Sequence, residues 1–212
     1  RWFWRQNRWR VSAEIVRDLH LAASGLMSKK IGGPSVFPPL PTGVEKLSYA
    51  NNFKWKTSPG EDRYRRGMYT FFKRTSPHPN LVSFDCPDSN TSVLRRETSN
   101  TPLQALVTLN NDVYLEASQA MVKRIYRWNL PSDRDRLKMA MRICLTRQPD
   151  NGEVGRFLKL LADARSYYQQ NEADAEKMTA RHPVDDLSST ENAAWIATLR
   201  MVMNLDEFIV RD

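Results

Sequence analysis

From Thr101 onward, runs of helically spaced apolar residues are bracketed by residues that start and stop helices, and this leaves room for little except a helical body. Thr101 can cap a helix, Pro102 suits its first position and Gln104 can return a side-chain bond to the cap. Leu103, Leu106, Val107 and Leu109 follow, before a break at Asn110-Asn111-Asp112. A second run to about Trp128 carries Val113, Leu115, Ala117, Met121, Val122 and Ile125. Leu130-Pro131-Ser132 opens a third, Asp133 to about Thr146, with Leu137, Met141, Cys144 and Leu145 on one side, and Gln148-Pro149 stops it. Asp150 with Glu153 repeats the capping pattern ahead of a long helix bearing Val154, Phe157, Leu158, Leu161, Ala164 and Tyr168. After a polar stretch at 171–189, Ser189 or Thr190 caps a last helix through Ala194, Trp195, Leu199 and Val202, and Asn204–Phe208 forms a closing turn. No segment shows the strict alternation of a strand. The expected fold is all-α, an irregular bundle of about six to seven helices.

The first hundred residues read differently. Ser12–Ala23 is amphipathic, with Ile15, Val16, Leu19, Ala22 and Ala23 on one side and Gly25 placed to end it. From about Ser28 to Gly60 the period is lost among Gly32-Gly33-Pro34, Pro38-Pro39, Pro41 and Ser58-Pro59-Gly60. Phe37, Leu40, Tyr49, Phe53 and Trp55 in that stretch call for packing, so a long ordered proline-rich loop is expected. Its aromatics Phe37, Tyr49, Phe53 and Trp55 make it a candidate interaction surface. Arg65–Phe72 reads as a short helix, and 80–96 as an irregular connection. Residues 1–212 are therefore expected to form one helical domain, loop-rich and basic over 1–100 and helical over 101–212. The chain begins at Arg1 and not at methionine, so either the polypeptide is processed or the sequence starts inside a longer one, and the aromatic Trp2, Phe3 and Trp4 favour the second.

Charge follows the same division. Residues 1–75 hold 15 Lys/Arg against 5 Asp/Glu, while 76–212 hold 17 against 19, so one third of the chain supplies the whole +8. Such a block attracts sulfate, phosphate, acidic polysaccharide or an acidic protein neighbour. No apolar run approaches the length of a transmembrane helix. Cys86 and Cys144 match no metal spacing, and His20, His78 and His182 are isolated, so neither a metal site nor a haem attachment is expected in this segment.

The residues carry a resemblance. Trp4-Arg5-Gln6-Asn7-Arg8-Trp9-Arg10, Ala13-Glu14, Arg17-Asp18 and Ser24-Gly25 are followed by Gly32-Gly33-Pro34-Ser35-Val36, Arg65-Arg66, Tyr69-Thr70-Phe71, Arg74-Thr75 and Phe84-Asp85-x-Pro87. The most specific run is Arg95-Arg96-x-x-x-Asn100-Thr101-Pro102-Leu103-Gln104-Ala105-Leu106, and Ala194-Trp195 with Asn204–Phe208 closes the set. Together they resemble the planctomycete-type PSD-one family, a domain of unknown function. The resemblance implies a large exported, periplasmic bacterial protein in which this domain lies C-terminal, often with a cytochrome-c-like domain. Haem c would then belong to the upstream part, and the partners would be upstream domains of the same chain or another exported protein. No nucleic-acid partner is expected. The cysteine that the family pattern often places three positions before its paired arginines is Ser92 here, so no redox role is carried over.

The family has no assigned reaction, and no catalytic residue is transferred. Arg74, His78, Asp85, Arg95, Arg96, Asn100, Gln104 and Asn110 gather around the specific motif. They can be read as a polar network that satisfies loop backbone groups, or as an anion site, with Asp85 as a base beside an arginine clamp. Glu14, Arg17 and Asp18 share one helical turn, which suits ion pairs to the arginine-rich segment.

Overall fold

Both capping boxes read from the sequence are formed in this computed structural model, which describes residues 9–41 and 54–211. Thr101 Oγ1 accepts from the Gln104 amide while Gln104 Oε1 accepts from the Thr101 amide, which starts α3 (Pro102–Asn110). Asp150 and Glu153 do the same for the longest helix. The elements run β1 (Trp9–Arg10), α1 (Ala13–Ser24), α2 (Pro79–Ser83), α3, α4 (Asp112–Tyr126), α5 (Asp133–Leu145), α6 (Asn151–Gln170), α7 (Glu172–Met178), α8 (Ser189–Met203), α9 (Asp206–Ile209) and β2 (Val210–Arg211). The all-α expectation is met apart from one ribbon. β1 and β2 pair antiparallel, Trp9 opposite Arg211 and Arg10 opposite Val210. A strand of two residues is too short to show alternation, so nothing in the sequence announced it.

Several local readings change, and the stretches read as an irregular connection at 80–96 and as a closing turn at 204–208 hold α2 and α9. Arg65–Phe72 is not an α-helix: Arg65 and Arg66 are extended between two 3-10 turns, Gly60–Tyr64 and Gly67–Tyr69. Helical bonds are diverted there, since Arg17 takes the Arg63 and Arg65 carbonyls and Asp18 takes the Gly67 amide. The polar stretch after α6 holds α7. The cap of α8 is Ser188, whose hydroxyl accepts from the Glu191 amide.

The chain divides into two compact units. The first comprises Arg1–Leu19, Met27–Val113 and Ile209–Asp212. Its buried apolar residues include Val11, Val16, Val36, Leu81, Phe84 and Val113, with Arg10, Arg17 and Arg65 buried among them. The second comprises His20–Leu26 and Tyr114–Phe208. In it α6 and α7 pack on α8, and α5 packs on both α6 and α8. Leu137, Met141, Leu161, Trp195, Leu199 and Val202 fill its interior. Arg165 of α6 ties α5 to α8 by pairing with Asp133 and Glu191, and the Trp195 indole N–H donates to Glu191. Cys144 is buried and free, and burial pushes its thiol pKa up to about 12, so it behaves as a small core residue.

Candidate functional site

The Asp85 neighbourhood is built around a buried arginine from β1. Arg10 donates to the carbonyls of Ser99 at 2.6 Å, Val11 at 2.6 Å and Phe84 at 3.1 Å, and pairs with Asp85 Oδ2 at 2.5 Å. Its guanidinium also lies 5.3 Å from the centre of the Phe84 ring. Asp85 follows α2 with a φ of 59°, a left-handed backbone that an aspartate tolerates better than most residues. Its carboxylate accepts from the Ser99 amide at 2.8 Å, from the Ser99 hydroxyl and, at 3.4 Å, from Gln104 Nε2. Gln104 Nε2 also donates to Ser99 Oγ at 3.0 Å, which joins the cluster to the α3 capping box. Burial alone would raise the Asp85 pKa, but the Ser99 amide and hydroxyl and the Arg10 guanidinium outweigh it and hold the carboxyl below its usual range. A carboxylate so held is a weak base, and its oxygens are occupied by donors of its own chain.

The other residues singled out from the motif do not converge there. His78 caps α2, its Nδ1 accepting from the Asn80 amide at 3.2 Å and its Nε2 lying 3.2 Å from the Pro39 carbonyl. Arg96 pairs with Glu14 through both carboxylate oxygens, at 3.0 and 2.9 Å. Arg74, Arg95, Asn100 and Asn110 lie at the surface. Of the loop aromatics, Phe37 and Trp55 pack with Phe71, and the Trp55 N–H donates to the Pro38 carbonyl at 2.7 Å. Tyr49 and Phe53 fall outside the described residues.

Sequence reasoning missed the arginine side of this architecture. Arg65, only 1% exposed, donates to the carbonyls of Pro34, Lys30 and Gly32, and its guanidinium stacks 3.7 Å from the centre of the Tyr69 ring. The Tyr69 hydroxyl in turn accepts from the Gly32 amide at 2.8 Å. Gly32 and Gly33, at φ 77° and 89°, let the loop wrap this side chain. Arg10, Arg17 and Arg65 therefore work as internal clamps on irregular backbone, so that three of the fifteen N-terminal cations face inward.

Two cavities lie in the same unit. One, about 190 Å³, is lined by Glu14, Thr70, Phe72, Cys86 and Arg96 among others, and burial raises the Cys86 thiol pKa there, with the Glu14 charge adding to it. The other is an apolar groove of about 270 Å³ between α2 and α3, lined by Pro41, Pro79, Leu103, Leu106, Val107 and Asn110 among others. Among the described residues no three His, Cys, Asp or Glu side chains gather as a metal site, and no helix is long and apolar enough to cross a membrane.

Residues 1–161 match the family described as PSD1, Protein of unknown function (DUF1553). The chain belongs to the PSD1 family. No curated protein and no solved structure matches it. The PSD1 match contains the whole Arg10–Asp85–Ser99–Gln104 cluster, the Arg65 clamp and the α2–α3 groove, and ends within α6. The resemblance read from individual residues continues beyond it, to Ala194-Trp195 and Asn204–Phe208.

Proposed function

We propose that this PSD1 chain is a non-catalytic interaction module of an exported, periplasmic multidomain bacterial protein, docking through its α2–α3 groove on another domain of the same polypeptide. The observation that carries this reading is the groove itself. Leu103 and Leu106 of α3 are 64% and 53% exposed, and they border a concave surface continued by Pro79 and Val107. Isolated surface leucines need no explanation, but leucines that rim an apolar concavity mark a place where a partner side chain can be buried. The Asp85 cluster supports the non-catalytic part, because its polar atoms bond one another. Family resemblance supports the exported setting and a cytochrome-c-like companion, which would carry haem c outside this segment. Binding of acidic polysaccharide by the basic block of residues 1–75 draws less support, since Arg10, Arg17 and Arg65 of that block are buried.

The test adds the remaining domains of the parent polypeptide to this chain in trans and measures association and amide exchange over 79–83 and 102–110. The expected result is a complex with protection of those helices, abolished by Leu103→Glu with Leu106→Glu. Absence of a complex, or one indifferent to both substitutions, refutes the docking site.

A further inference from the structure

The second unit contains a cleft that nothing above explains. About 460 Å³ in volume, it is lined by Lys123, Arg124 and Arg127 of α4 and its extension, by His182, and by the end of α1 at Ser24–Leu26. Among the described residues no aspartate or glutamate lines it. Its volume falls within the ordinary range for small-molecule sites.

The three cations are not equivalent. Arg124 Nη1 donates to the Ala22 and Ala23 carbonyls at 3.0 and 2.6 Å, so this arginine finishes α1. Gly25, at φ +81°, turns the chain away beside it. That leaves Lys123 and Arg127, one helical turn apart on α4 and its extension, with no ion-pair partner among the described residues. Like charges four residues apart repel, and a carboxylate nearby would relieve them. Among the described residues none lines the cleft, which opens in front of them. A lysine and an arginine facing one concavity supply the donors that a tetrahedral oxyanion accepts.

We propose that this cleft is a binding site for a small phosphate or sulfate ester, with Lys123 and Arg127 holding the ester oxyanion. The site lies in the second unit and does not rest on the docking role proposed for the first.

Titration calorimetry of the full chain in about 0.1 M salt, enough to screen exposed charges beyond about 10 Å, tests it. The probes are glucose 6-phosphate, glucose 6-sulfate, inorganic phosphate, inorganic sulfate and glucose. One of the two esters is expected to bind with unit stoichiometry, about tenfold or more tighter than its inorganic anion, and glucose not at all. Which ester binds tighter identifies the source of the oxyanion. Lys123→Gln with Arg127→Gln should weaken binding about tenfold or more. Arg156→Gln with Lys159→Gln, which removes the same charge from α6, should leave affinity unchanged. The proposal is overturned if neither ester binds, if both double variants weaken binding equally, or if inorganic anions bind as tightly as the esters. Unchanged circular dichroism in every variant keeps these outcomes apart from misfolding.

Discussion

Lowering the pH from 7 to 5 should destabilise the first unit through His78. The ring is held neutral by geometry as well as burial: Nδ1 is committed as an acceptor to the Asn80 amide, and Nε2 carries the hydrogen toward the Pro39 carbonyl. Burial, with the Arg17 charge adding to it, outweighs the Pro39 carbonyl and brings the pKa from 6.5 down to about 4. Because the folded value lies below the unfolded one, the unfolded chain takes up a proton that the fold refuses between these limits. Stability is full above about pH 6.5 and is lost as pH falls toward 4. Proton linkage over this gap gives roughly 2 kcal/mol lost between pH 7 and 5, levelling at about 3 kcal/mol below pH 4. His78→Asn isolates the effect, since asparagine can still cap α2 but does not titrate. Urea unfolding of both proteins at pH 7, 6 and 5 should show the native chain losing about 2 kcal/mol more than the variant by pH 5. Carboxylates that titrate in both subtract out. Parallel pH profiles for the two proteins would refute the reasoning.

Gly67→Ala should unfold the first unit or cost it about 3 kcal/mol, because the new methyl would sit 2.5 Å from the Glu14 carbonyl oxygen; Gly155→Ala in α6, with no such neighbour, should instead raise stability by about 0.5–1 kcal/mol, and urea midpoints decide both. Arg65→Lys should cost about 2–4 kcal/mol despite keeping the charge, since an ammonium cannot serve separated carbonyls while stacking on Tyr69. Faster amide exchange over residues 28–41 would accompany that loss, and a variant as stable as the parent would show that the clamp does not hold the loop.

What the sequence disclosed was what neighbours in the chain decide. Thr101 with Gln104, and Asp150 with Glu153, sit three residues apart, so their bonds follow from spacing, as do the apolar faces of α4 to α6. Asp85 and Gln104 were legible as polar groups near one motif, but Arg10, which organises them, enters from 75 residues away. No periodicity carries such a pairing. Arg65–Phe72 was misread as a helix because its carbonyls and amide are claimed by Arg17 and Asp18 from another element, and propensity does not see competitors. Arg74, Arg95 and Asn110 share a sequence neighbourhood with Asp85 and still point to solvent, since an irregular connection scatters what a helix would have aligned.

The pairing of β1 with β2 bears on how the molecule is made. A ribosome releases Arg10 ahead of the Phe84 and Ser99 carbonyls that it grips, yet the strand beside it, Val210–Arg211, emerges only after the whole of α8. Until then the nascent chain carries an open strand edge of the kind that invites mispairing. Closure of the first unit thus waits for Val210–Arg211, and a chain stopped just before Val210 would keep α1 to α9 while leaving β1 without its partner strand.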